Sequence, residues 1–263
     1  MCSCWGNINH LALLDNFCWC SSNDSKKLFQ LEAAARGCYN YATEFMTPFI
    51  SGKDSMFNDF KGFNDKNEET NISINPTLLI SSIGVIEDVN KTCSIDLKKE
   101  GDLIYLIGDT FDEMGGSEVF YILGKKSFKS PKVDAKKARK LYEKIYEIHQ
   151  KEIFNSCASV ERGGLIACIA KMSIAGQLGI KVDIKTIPSI PTFTKLYSES
   201  QSRLVVTIDK KHKNVIEEEF KKFNLFHIGV VEGQNFVIQD NDEVLNIKIN
   251  ELDRIYRERF KKW

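Results

Sequence analysis

The sequence predicts an α/β or α+β chain, because strand-length apolar runs alternate with stretches of helical periodicity along its whole length. The clearest runs are residues 11–14, 77–85, 103–108 and 203–209. The clearest helical repeats are 26–41, through Leu28, Leu31, Ala34, Ala35, Cys38 and Tyr39, and 133–154, through Leu141, Ile145 and Ile148. No apolar stretch approaches the ~20 residues needed to span a bilayer.

In chain order, residues 11–14 read as a buried strand that ends at the polar pair Asp15-Asn16. Ser21-Ser22-Asn23-Asp24-Ser25 reads as a turn and a helix start for 26–41. Residues 47–51 form a short strand that runs into a Gly-Lys-Asp-Ser turn. Residues 59–71, rich in Asn, Asp, Lys and Glu, read as a loop, and 77–85 as a buried strand. The charged break Lys98-Lys99-Glu100-Gly101-Asp102 places a domain boundary, with domains at 1–97 and 98–263. A strand at 103–108, a glycine-rich turn at 112–118 and an amphipathic helix at 133–154 follow. Gly163-Gly164 opens a helix over 165–175, and 203–209 is a β-branched strand. Residues 214–223 form a helix with Asn214 as its N-cap. Strands at 227–231 and 235–238 and a closing helix at 252–260 complete the pattern.

Lys+Arg and Asp+Glu both number 36 in the 263 residues, so the net charge is zero. That balance excludes a nucleic-acid or anionic-membrane binder driven by bulk charge. Met1-Cys2-Ser3-Cys4-Trp5-Gly6 lacks a basic region followed by an apolar run, so no secretory signal is read and a cytoplasmic location is expected. There are 8 Cys. Cys2-x-Cys4 and Cys18-x-Cys20 invite a metal reading, but their one-residue spacers are short for zinc, and Trp5, Phe17 and Trp19 beside them suit buried thiols.

The stretch from Pro48 to Asp59 carries the most chemistry. Gly52 lets the backbone approach a ligand, Lys53 neutralises phosphate, Asp54 is able to hold a divalent cation, and Ser55 is a hydrogen-bonding hydroxyl. The same residue types also make an ordinary surface turn. Glu199 and Arg203, four apart around Ser200-Gln201-Ser202, read as a ligand or interface contact at a strand entrance or, in preference, as a local ion pair that fixes the turn. His149, flanked by Glu147 and Gln150, reads as a surface residue. Gly115-Gly116 suits either a phosphate contact or a tight turn, and Gly163-Gly164 suits close helix packing or an anion at a helix start.

Several blocks, in order, resemble the phosphoribosylformylglycinamidine synthase family, which is built from two aminoimidazole ribonucleotide synthetase-like halves. They are Leu13-Leu14-Asp15-Asn16-Phe17, the stretch from Thr47 to Met56, Pro76 to Gly84, Gly101 to Gly108, Gly115-Gly116-Ser117-Glu118, Arg162-Gly163-Gly164-Leu165 and Ser198 to Arg203. The Gly-Lys-Asp-Ser block looks like the second half. The resemblance implies a partial N-terminal synthetase-like sheet domain followed by a complete C-terminal α/β domain. It implies ATP-dependent conversion of formylglycinamide ribonucleotide to its amidine, with ammonia from glutamine, as a step of purine biosynthesis. ATP and Mg²⁺ are the implied cofactors. The implied partners are the first half of the synthase and a glutaminase subunit or domain, with no nucleic acid and no membrane.

By resemblance, Asp15, Gly52 and Lys53 fall at nucleotide-binding positions, Ser55 at a substrate position, and Asp54 takes the metal role. Short forms of the family carry an Asn metal ligand where Lys53 stands, and a charged Lys has no acceptor to offer a metal. Ser159, in Ala158-Ser159-Val160-Glu161-Arg162, stands where the family often has a ligand Asp. The family's catalytic His lies in the first half, and His10, His149, His212 and His227 are outside that context, so no general base is assigned. The chain opens shortly before the Leu-Leu-Asp-Asn block, which suggests a split subunit or a fragment, inactive alone. Rival readings are a non-catalytic structural half, another ATP-using member of the superfamily, and a Cys-rich metal module.

Overall fold

The structure is a computed structural model that describes residues 6–188 and 190–258. Two compact units divide between Glu87 and Asp88. Cys2, Cys4 and Phe260 lie outside the described residues.

In the first unit, β1 (Leu11–Cys18), β2 (Phe49–Ser55) and β5 (Thr77–Gly84) form a sheet in the order β2-β1-β5. Strand β1 runs parallel to β2 and antiparallel to β5. Between β1 and β2 lies α1 (Ser25–Phe45). It starts where the Asp24 carboxylate accepts from the N–H groups of Lys26 and Lys27, and it stops at Met46, whose φ is 52°. Leu31, Ala34 and Cys38 of α1 pack against Phe17, Trp19, Cys20 and Leu78. These contacts place α1 on the sheet face to which Phe17 points.

Three expectations fail here, each for a physical reason. The strand at 11–14 does not end at Asp15-Asn16, because parallel pairing with β2 carries it on to Cys18. Residues 52–55 are strand rather than turn for the same reason: Gly52, Lys53, Asp54 and Ser55 sit opposite Asp15, Asn16, Phe17 and Cys18. Residues 59–71 are not a plain loop but contain a hairpin of β3 (Phe60–Phe63) and β4 (Glu69–Ile72). Its turn is held by Asn64 Oδ1, which accepts from the N–H groups of Lys66 at 2.9 Å and Glu68 at 3.0 Å.

The second unit is built on a seven-stranded mixed sheet. Its strands are β6 (Leu103–Ile107), β7 (Phe154–Ser159), β8 (Ile180–Asp183), β9 (Leu204–Ile208), β10 (Leu225–Val231), β11 (Asn235–Asp240) and β12 (Asp242–Lys248), in the order β12-β11-β8-β10-β6-β9-β7. All neighbours are antiparallel except β8 and β11. The antiparallel majority makes this the α+β form of the predicted class.

Both faces of the sheet are covered, and β6 shows why it reads as an unbroken apolar run. Leu103, Tyr105 and Ile107 face a core with Leu141, Ile145 and Ile148 of α3 (Ala135–Gln150) and Ile216 of α6 (Lys213–Glu219). Ile104 and Leu106 face the other core, with Leu165, Ile169 and Met172 of α4 (Gly164–Gly176), Leu196 of α5 (Thr192–Tyr197) and Ile249 of α7 (Ile249–Glu258). Fully burying each such side chain contributes about 1.5–3 kcal/mol. The short helix α2 (Glu118–Ile122) follows the glycine-rich turn. Helix α3 ends at Gln150 rather than 154, since Glu152 takes a φ of 54° and Phe154 opens β7. Helix α6 starts at Lys213, with Asp209 rather than Asn214 accepting the preceding backbone N–H, that of Lys211.

Candidate functional site

Strand alternation sorts the expected site residues onto two faces of the β2-β1-β5 sheet. Asp15, Gly52 and Asp54 share the Phe17 face, the one α1 packs against. Lys53 and Ser55 share the opposite face with Asn16 and Cys18, by the register of β1 with β2. Asp15 and Gly52 are brought into contact: a Cβ on Gly52 would lie 2.1 Å from Asp15 Oδ1. Only glycine leaves room there for the carboxylate. Burial pushes the Cys38 thiol of α1 up, and the Asp15 charge beside it adds to that shift.

On the opposite face Lys53 Nζ donates to the Ser55 hydroxyl. Cys18 donates its thiol to Asn16 Oδ1 at 3.5 Å. The Ser55 carbonyl accepts from Trp19 N–H at 2.8 Å and from Asn58 Nδ2 at 3.1 Å, which fixes the end of β2. Leu79 and Ile83 of β5 belong to this face by register and are 57% and 59% exposed. Asn16 and Cys18 are site neighbours that the sequence reading missed, although alternation from Asp15 was the signal that finds them.

Among the described residues no three His, Cys, Asp or Glu side chains gather into a group able to hold a metal ion. Asp15 and Asp54 are the carboxylates on the α1 face. Mg²⁺ is commonly held by one or two carboxylates plus the phosphates of a substrate. The Lys53 face is a poor fit for it, because Lys53 brings only donors. Cys18, Cys20 and Cys38 are free thiols, and Cys20 is fully buried against Phe17 and Trp19.

In the second unit, Glu199 and Arg203 do not form the expected ion pair. Glu199 Oε1 accepts from the N–H groups of Gly163 at 2.9 Å and Glu118 at 2.8 Å. Arg203, 1% exposed, directs Nε to the Ser200 carbonyl at 3.0 Å, Nη1 to Thr110 Oγ1 at 3.0 Å and Nη2 to the Ser198 carbonyl. Burial lowers its pKa to about 10. The turn that the pair was expected to fix is held instead by the Arg203 guanidinium on the Ser198 and Ser200 carbonyls.

The N-terminus of α4 is therefore met by the chain's own carboxylate. Arg162 Nε holds Glu118 Oε2 at 3.0 Å, and Ser159 donates to Glu161 at 2.6 Å. Gly164 serves packing: its Cβ would lie 2.6 Å from the Leu196 carbonyl oxygen. Gly115 likewise passes close to the backbone of Lys129 and Ser130, 2.8 Å from where its Cβ would be. His149 is buried rather than exposed, on the helix that packs Leu141, Ile145 and Ile148 into the core. Burial lowers its pKa to about 4, against the hydrogen bond to the Lys91 backbone.

No described helix is long and apolar enough to cross a membrane. Residues 99–241 match the family described as AIR synthase related protein, C-terminal domain. Over 252 residues the chain is 32% identical to phosphoribosylformylglycinamidine synthase subunit PurL of Alkaliphilus metalliredigens, covering 94% of this chain and 32% of that protein. It is 29% identical over 258 residues to the PurL subunit of Methanocaldococcus jannaschii, covering 96% and 34%. The chain thus spans about a third of the length of these curated relatives.

Among solved structures, Thermotoga maritima PurL complexed with FGAR superposes with a TM-score of 0.71 at 16% identity, over 96% of this chain and 40% of that one. Hydrogenase maturation protein HypE in complex with ATP gives 0.66 at 15% identity, over 97% and 77%. These two share the fold. The chain belongs to the AIR synthase related protein family, with the family's C-terminal domain over residues 99–241.

Proposed function

We propose that this chain is the second synthetase-like half of a phosphoribosylformylglycinamidine synthase. Residues 1–97 and 98–263 serve as its N-terminal and C-terminal synthetase-like domains. With a first-half partner and a glutaminase subunit or domain it takes part, in the cytoplasm, in the ATP-dependent amidation of formylglycinamide ribonucleotide. The identity to PurL subunits supports the reaction class. The observation that carries the need for a partner is the Lys53 face of the β2-β1-β5 sheet. It joins ligand-binding side chains to exposed Leu79 and Ile83, and a sheet face of that kind is ordinarily covered.

In this reading Asp15, set by Gly52, orients the nucleotide, and Asp54 is the carboxylate that holds Mg²⁺. When bound, Mg²⁺ neutralises charge on the transferring phosphoryl group. Lys53 and Ser55 meet the phosphate-bearing ligands on the other face. In this reading the general base comes from the partner half.

The test is ATP-dependent consumption of formylglycinamide ribonucleotide with ammonium chloride, with and without the co-expressed first half. Turnover only with the partner is expected, and turnover by the chain alone sinks the partner requirement. A second reading is a non-catalytic half that scaffolds the complex. Ser159 at a ligand position and Glu199 at the α4 N-terminus favour it. A Ser55→Ala variant that left the reconstituted activity intact would decide for it.

A further inference from the structure

In the second unit a cavity of about 160 Å³ opens at the start of α3, beside the loops that follow β6 and precede β9 and β10. Val133, Ala138, Leu141 and Phe223 make much of its wall apolar. Ala138 and Leu141 are themselves buried, so the wall is part of the packed domain. An apolar cavity of about 150 Å³ is the size that takes up one benzene ring. The polar part of the wall is tied together without any ligand. The N–H of Gly108 donates to the Asn224 carbonyl at 2.9 Å, and the Asp109 carboxylate accepts from Asn224 Nδ2 and Lys137 Nζ. The cavity is therefore preformed, as small-molecule sites usually are.

Four charged side chains line the cavity, and three are engaged. Asp109 and Lys137 pair with each other. Asp134 Oδ1 accepts from the N–H of Lys137 at 3.0 Å, as the N-cap of α3. Lys132 is the fourth, and no carboxylate among the described residues pairs with its ammonium. Ser202 lines the cavity too. Its hydroxyl oxygen accepts from the Tyr142 O–H at 2.9 Å, which leaves its own proton to donate. A ligand thus meets an apolar wall the size of one ring, an unpaired cation and a hydroxyl donor. The partial positive charge at the start of α3 has the same sign as Lys132. We infer that this cavity binds a single-ring aromatic carboxylate, with the ring against Ala138, Leu141 and Phe223 and the carboxylate toward Lys132 and Ser202. None of these residues takes part in the reaction proposed above, so the two sites stand or fall separately.

The experiment is calorimetric titration of the full chain with benzoate, benzamide and benzylamine, which share the ring and differ in charge. Benzoate is expected to bind with a Kd below about 1 mM, benzamide at least about fivefold more weakly and benzylamine not measurably. Lys132→Met should weaken benzoate binding about fivefold and leave benzamide unchanged. Ala138→Leu adds three carbons to the cavity wall and should abolish binding of both. Far-UV circular dichroism checks that each variant folds. Lys132 is exposed, so Lys132→Met carries the test even where Ala138→Leu does not fold.

Absence of benzoate binding to folded chain in the millimolar range overturns the inference. Benzamide or benzylamine binding as tightly as benzoate does so too, because the cavity then does not select the anion. Lys132→Met or folded Ala138→Leu that binds benzoate like the parent overturns it as well, by placing the ligand elsewhere.

Discussion

The Asp15 carboxylate occupies the space where a side chain on Gly52 would begin, with Oδ1 2.1 Å from that Cβ position. The two residues are 37 apart in sequence and face each other only because β1 and β2 pair in parallel. Gly52→Ala therefore acts through Asp15. The obstacle is the end of a flexible side chain, so folding stability should change by less than about 1 kcal/mol. ATP affinity of the reconstituted complex should fall about tenfold as the carboxylate rotates away. Chemical denaturation and an ATP titration check the two halves of this expectation. Unchanged affinity would overturn the proposed nucleotide role of Asp15.

The exposed face of β5 predicts a separable effect. Leu79 is 57% exposed, so Leu79→Glu should leave the isolated chain's stability within about 0.5 kcal/mol. A charge buried at a protein interface without a partner costs several kcal/mol, so association with a first-half polypeptide should be abolished. Size-exclusion chromatography of the co-expressed pair reads the outcome. A Leu79→Glu pair that co-elutes like the parent would place the partner elsewhere.

How far these residues were legible in the sequence depends on what the backbone did around them. Strand β6 was plain, since five apolar residues packed on two faces leave no other reading. Strand β7, Phe-Asn-Ser-Cys-Ala-Ser, was hidden by its polar positions. The Ser156 hydroxyl spends its polarity on Thr207 of β9, at 2.6 Å inside the core. Asp15, Asn16 and the Gly-Lys-Asp-Ser block carry turn-forming residues, and propensity alone ends strands there. Pairing between β1 and β2 overrides it, and that pairing is non-local. The residue types of the site were therefore readable, while their division between two sheet faces needed the register.

Burial of His149 predicts a pH dependence. Its pKa lies at about 4 in the folded chain against 6.5 in a free histidine. Between those values the unfolded chain binds a proton that the folded chain does not, so stability falls as pH falls from 6.5 toward about 4. The loss between pH 7 and 4.5 should be about 2 kcal/mol larger in the parent than in His149→Leu. Urea midpoints at the two pH values measure it. Equal losses would mean that His149 titrates normally.

Arg203 predicts a large stability effect. Its guanidinium satisfies the carbonyls of Ser198 and Ser200 and the Thr110 hydroxyl away from water. Arg203→Met leaves those acceptors buried and should cost about 3 kcal/mol. Arg203→Lys should recover little, because an ammonium does not reproduce the planar fork. Denaturation midpoints of both variants test this, and a cost below about 1 kcal/mol would show that water replaces the guanidinium.

Glu199 sets up the last expectation, because it holds backbone N–H groups of Gly163 and Glu118 at once. Glu199→Ala leaves both unpaired beside the start of the 13-residue α4 and should cost about 2 kcal/mol. Glu199→Gln keeps an acceptor oxygen but loses the charge that favours a helix N-terminus, and should cost about 1 kcal/mol. The freed N–H groups of Glu199→Ala then become an anion site of the kind helix N-termini form. Added phosphate should raise the Tm of Glu199→Ala by more than it raises that of the parent, whose terminus is already satisfied. Equal shifts in the two proteins would mean that the carboxylate does not guard this terminus.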